Sequence, residues 1–128
     1  MKSYITFNDP IFGMEYTIAI RTEDLPKSIR DTFDSDEPGD TEGYCVSNEN
    51  RTAIVINLEP GEDVFYVCAH ECFHAVEGWL RWMDTQGSEC NEELRATYFT
   101  WLLKRVTDSV IKLHEHLTPQ PKDETIKE

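Results

Sequence analysis

The chain has 128 residues, 39% of them hydrophobic and 11% aromatic, which suits one domain with a buried core and no need of cross-links. Its 12 basic and 25 acidic residues leave a formal charge of -13, which repels phosphate backbones and anionic lipid surfaces and argues against a nucleic-acid or membrane partner. No apolar run approaches the length of a membrane span, and MKSYITFNDP lacks the basic-then-apolar layout of a secretion signal, so the expected compartment is the cytoplasm.

In chain order, Tyr4, Ile5 and Phe7 form a first strand candidate and Met14 to Ile20 a second. The turn-prone Asn8-Asp9-Pro10 and Gly13 lie between them, so a hairpin is predicted. Leu25, Ile29 and Phe33 follow helical spacing around Pro26, which is tolerated in a first helical turn, and predict a short helix to about Asp34. The run DSDEPGDTEG reads as a solvated acidic loop. Tyr44 to Ser47 and Thr52 to Leu58 then predict two more strands around the turn SNENR, with Ala53-Ile54-Val55-Ile56 the most apolar stretch.

Pro60-Gly61 breaks that strand, and Asp63 is a good N-cap for a helix to about Met83. From Asn91, the spacing of Leu94, Tyr98, Trp101 with Leu102, Val106, Val110, Leu113 and Leu117 predicts a second long amphipathic helix. Residues 1–118 are expected to form the domain, with 119–128 a flexible tail. Strands followed by two long helices predict an α+β fold, a small and mostly antiparallel sheet with both helices packed on one face.

The first of these helices carries AHECFHAVEGWL, in which His70, Glu71 and His74 spell H-E-x-x-H. Side chains four apart stack on one helix face, so both imidazoles can reach one ion at about 2 Å. Glu71 leaves the helix beside that ion, where it suits a general base better than a ligand. Cys68 and Cys72 project from the opposite face and read as reduced, buried thiols, as do Cys45 and Cys90 in a chain without a secretion signal.

A catalytic zinc takes three protein ligands and keeps one position open, so a third ligand must come from elsewhere. Glu93, 19 residues after His74, is nominated, on the expectation that a turn through Gln86-Gly87-Ser88 brings the first turn of the second helix back alongside. Glu92 and Glu89 are the reserves, and carboxylates at 92 and 93 also suit a helix N-terminus on purely structural grounds. Glu77, one turn past His74, is carried beyond the ion by a straight helix and is expected to support a ligand. Tyr66, Arg95, Tyr98, His114 and His116 are candidates by type for an oxyanion donor.

HECFHAV followed by EELRATYFTWL resembles the small zincin-like metallopeptidases of the gluzincin type encoded by bacteriophages and prophages, related more distantly to the ImmA/IrrE group. The resemblance covers about residues 66 to 103 and places the family's helix-borne Glu at Glu93, with Ala96, Tyr98, Trp101 and Leu102 behind it. The metzincin third His is absent, since Glu77 and Leu80 stand where Gly and His would be, and the thermolysin-like N-E-x-x-x-D pattern stops at Ala96. The resemblance implies a minimal zincin-like fold, a Zn2+ cofactor and hydrolysis of a peptide or protein substrate, with Glu71 catalytic and His70, His74 and Glu93 as metal ligands. The short chain leaves little wall around a cleft, which favours narrow specificity. An alternative from another class is a non-catalytic, metal-binding interaction protein of phage origin that binds a host protein through its acidic surface.

Overall fold

In a computed structural model, residues 3–30, 43–57, 63–85 and 91–117 are described. The fold is α+β. Strands β1 (Tyr4–Asn8), β2 (Glu15–Ala19), β3 (Gly43–Asn48) and β4 (Arg51–Ile56) form one sheet. Its order is β1-β2-β4-β3. Both outer pairings are antiparallel, whereas β2 and β4 run parallel at the centre.

Local chemistry accounts for the connections. Asp9 Oδ1 accepts hydrogen bonds from the backbone N–H of Ile11 at 2.8 Å and of Phe12 at 3.0 Å, while Asp9 N–H donates to the Met14 carbonyl at 2.8 Å. This Asx turn closes the β1–β2 hairpin, with Gly13 at φ 81 in the left-handed region. The β3–β4 hairpin turns through Glu49 and Asn50, with Glu49 at φ 55. Between the hairpins lie a 3-10 turn (Thr22–Asp24) and α1 (Lys27–Arg30), and the expected continuation of that helix to Asp34 and the acidic loop after it fall outside the described residues.

Two long helices follow, α2 (Val64–Thr85) and α3 (Glu92–Leu117). Asp63 caps α2 by accepting from the N–H of Phe65 at 2.9 Å and of Tyr66 at 3.3 Å. Asn91 caps α3, its Oδ1 accepting from Leu94 N–H at 2.8 Å. Each satisfies backbone donors that the first turn leaves without an intrahelical partner. The strand break at Pro60-Gly61, the turn at 86–88, Cys90 and the tail after Pro119 lie outside the described residues.

Strand alternation divides the core into two layers. Ile5, Ile18, Ile54 and Cys45 stand in one row across the sheet and face the long helices. There they meet Cys68, Cys72, Ala75 and Trp79 of α2 and Leu102, Val106 and Val110 of α3, all fully buried. On the other face Ala19, Ala53 and Val55 are covered by Leu25 and Ile29. Sequence patterning missed this second layer and the central parallel pairing, because both depend on which strands become neighbours rather than on the pattern within each strand.

Trp79 fixes the register between the long helices. Its ring stacks on Tyr98 at 3.8 Å between centroids with 4° between planes, and the Tyr98 hydroxyl shares a 2.5 Å hydrogen bond with that of Tyr16 on β2. Burial, first, and the neighbouring Tyr16 hydroxyl, second, raise the Tyr98 pKa well above that of an ordinary phenol. Tyr98 is therefore a locked part of the core and faces no solvent-accessible site.

Candidate metal centre and cleft

His70 and His74 lie near the middle of α2 and are both exposed, with ring centroids 5.0 Å apart and planes at 72°. Two imidazoles sharing one tetrahedral ion, each nitrogen about 2.0–2.1 Å from it, would hold their centroids about 5.2 Å apart. The pair therefore fits one zinc ion in spacing, and neutral imidazoles are suitable donors for it. Cys68 and Cys72 point the other way and are completely buried as free thiols.

Glu71 turns off the histidine face toward β3 and is only 5% exposed. Desolvation raises its pKa above the ordinary carboxylate value, and the neighbouring His70 and His74 oppose that rise when charged. Its close packing depends on Gly43: a Cβ there would sit 2.7 Å from the Val55 carbonyl oxygen and 3.4 Å from Glu71 Cγ. Further along the seam, Gly78 lets α2 approach Ser47, since a Cβ on it would stand 2.7 Å from Ser47 Cβ and closer still to Ser47 Oγ. Two glycines, one on each element, thus bring β3, at the edge of the described sheet, close against the helix that carries the histidines.

This seam opens as a cleft of about 330 Å3 bounded by Gly43, Tyr44, Cys45 and Ser47 on β3 and by Glu71, His74, Glu77 and Arg81 on α2. The motif predicted Glu71 and His74 here. It did not predict the β3 wall or Arg81. An isolated glycine at position 78 inside a helical pattern, four residues after His74, was the signal for close approach, and Arg81 follows His74 by two helical turns on nearly the same face. Cys45 lines the cleft with its thiol pushed up to about 12, by burial first and by the Glu71 carboxylate second, so it stays protonated near neutrality.

Comparison with protein-family models, with curated proteins and with solved structures finds no match. The case for chemistry therefore rests on the site itself.

The structure does not gather the nominated third ligand with the histidines. Glu92 and Glu93 are exposed in the first turn of α3, behind the Asn91 cap. The Trp79–Tyr98 stack sets an antiparallel register in which Glu93 is level with about Asp84 of α2. That is ten residues beyond His74, or about 15 Å along the helix axis. Among the described residues no three His, Cys, Asp or Glu form a group able to hold a metal ion. Glu89 lies outside the described residues.

The oxyanion candidates separate by position. Tyr98 is buried in the core, and Arg95 is exposed on α3. His114 is half-buried near the end of α3, with its Nε2 unpartnered among the described residues, and the His116 side chain lies outside them. Tyr66, 69% exposed and one turn before His70, is the candidate that shares the histidine face. Phe65 and Phe73 are also exposed along α2, and the Phe73 ring lies edge-on to His74 at 6.2 Å. No described helix is long and apolar enough to cross a membrane.

Proposed function

We propose that the protein is a zinc-dependent metallopeptidase of narrow specificity, with Glu71 as general base and His70 and His74 as metal ligands. The observation that carries this reading is the division of labour within one helical turn of α2. Both imidazoles face solvent at the spacing of a shared ion, while the carboxylate between them is buried at the head of a cleft under an edge strand. A bound zinc would supply Lewis acidity toward a peptide carbonyl and its attacking water. Glu71 takes the proton of that water and returns it to the leaving nitrogen. The close approach of β3 at Gly43 leaves the Glu71 side chain only 5% exposed beside the cleft.

The test compares Glu71→Gln with His74→Ala. Glu71→Gln is expected to retain about one zinc per chain by elemental analysis while peptide hydrolysis falls at least about 100-fold. His74→Ala is expected to lose the metal. Full hydrolysis by Glu71→Gln would remove the general-base assignment, and a wild-type protein that takes up no zinc would remove the metallopeptidase. The second reading, a non-catalytic, metal-binding interaction protein of phage origin that binds a host protein through its acidic surface, draws on the formal charge of -13. It requires stoichiometric partner binding that Glu71→Gln leaves unchanged.

A further inference from the structure

The cleft beside Glu71 continues past the histidines. A second recess of about 240 Å3, reaching Glu49, Gly78 and Trp82, adjoins it, and Ser47 and Arg81 line both. The two recesses lie along the β3–α2 seam with Ser47 and Arg81 common to both and Glu71 and His74 bordering the first, and they are taken together as one groove. We infer that this groove holds the substrate chain on one side of the scissile bond and that Arg81 selects a carboxylate on it, about three residues from that bond. The inference rests on the metallopeptidase reading and deepens it.

The distance follows from helix and strand geometry. Arg81 is seven residues beyond His74, about 10 Å along α2. An extended peptide advances about 3.4 Å per residue, so three residues cover that span. The charge follows from the lining. Arg81 is the one Lys or Arg among the described residues that borders either part of the groove, whereas Glu71, Glu77 and Glu49 are acidic. In a chain of net charge -13, an anionic group on a substrate is repelled unless a specific cation faces it. A guanidinium has five N–H donors in a fork that matches a carboxylate, so Arg81 can receive one while keeping contacts within its own chain. The Arg81 guanidinium lies close to Gly78, its Nη2 3.7 Å from where a Cβ on that residue would stand, which places it at the groove.

The carboxylate can be an Asp or Glu side chain or the C-terminus of the substrate, and one experiment separates the two. The zinc-loaded protein is incubated with a synthetic peptide pool of randomised sequence, prepared both with free-acid and with amidated C-termini, and cleavage sites are read by mass spectrometry. Enrichment of Asp and Glu about three residues from the cut, equal in both pools, identifies a side chain. Cleavage that places a C-terminus there and is lost on amidation identifies the terminal carboxylate. For the best peptide, Arg81→Ala is expected to raise KM about tenfold with little change in kcat, and Arg81→Glu to move the preference to Lys and Arg. Binding of the same fluorescein-labelled peptide to Glu71→Gln, followed by anisotropy, is expected to weaken by the same factor when Arg81→Ala is added. Cleavage without any anionic preference, or a preference that survives Arg81→Glu, overturns this inference and leaves the hydrolase standing. A pool left uncut by the zinc-loaded protein overturns both.

Discussion

The two faces of α2 carry similar side chains, aromatic rings and ionisable groups, and treat them in opposite ways. Inward, Trp79 is stacked on Tyr98 and fully buried, with Tyr16 closing the hydroxyl pair behind it. Outward, Phe73 and Tyr66 are left in solvent beside His70 and His74. Glu71 lies at the boundary, desolvated by the cleft yet adjacent to both imidazoles. The inner face sets the position of the helix, and that positioning lets the outer face hold groups in costly environments. A carboxylate that is partly stripped of water stays where it is only if the strand beneath it cannot move away.

Trp79→Ala puts that comparison under the greatest stress. Removing the ring from a fully buried stack is expected to cost about 3–5 kcal/mol of stability by denaturant unfolding, because the space cannot collapse around the rigid Tyr98. A loss below about 1 kcal/mol would mean that the inner face does not position α2.

Gly78→Ala probes the seam instead. Alanine in a helix interior gains about 1 kcal/mol over glycine at an unhindered site. Here its Cβ meets Ser47, so a net loss of about 1–2 kcal/mol is expected. Ser47→Gly in the same chain should recover most of it, since it removes the colliding Cβ and hydroxyl. Stabilisation by Gly78→Ala alone would show that β3 and α2 are not tightly apposed.

A further probe is the response to alkali, in which the raised Cys68 and Cys72 thiols act in the same direction as Cys45. The Cys45 thiol titrates near 9.0 in an unfolded chain and at about 12 in the folded one, so between those values the folded state keeps a proton that the unfolded state has lost. Stability is therefore full below about pH 9 and declines as pH rises through that window. The raised Tyr16 and Tyr98 hydroxyls act in the same direction at higher pH. Denaturant midpoints measured from about pH 8 to about pH 10.5 should fall, and Cys45→Ala should fall less steeply. An identical slope in the variant would show that Cys45 is not desolvated as the structure has it.

The legibility of this protein differed from element to element. The Asp63 and Asn91 caps, the stripe from Tyr98 to Leu113 and the opposed faces of Cys68/Cys72 and His70/His74 are local properties, spaced by 3.6 residues, and each lies where the sequence places it. The third-ligand nomination failed to gather with the histidines for a non-local reason. Spacing in the chain showed that α3 could return alongside α2, but the Trp79–Tyr98 stack decided the level at which it did so, and that level carries Glu93 toward the far end of α2.

By itself, the sequence determined the α+β class, the helix that presents both imidazoles on one face, and the burial of the thiols behind them, since each follows from the period of side chains along one element. Only the tertiary structure decided that β4 inserts between β2 and β3, that β3 closes over Glu71, and that the resulting groove runs on to Arg81. Those outcomes depend on contacts between residues far apart in the chain, where the close approach permitted by Gly43 and Gly78 and the shape of the Trp79–Tyr98 stack select one packing among several that the same hydrophobic pattern allows.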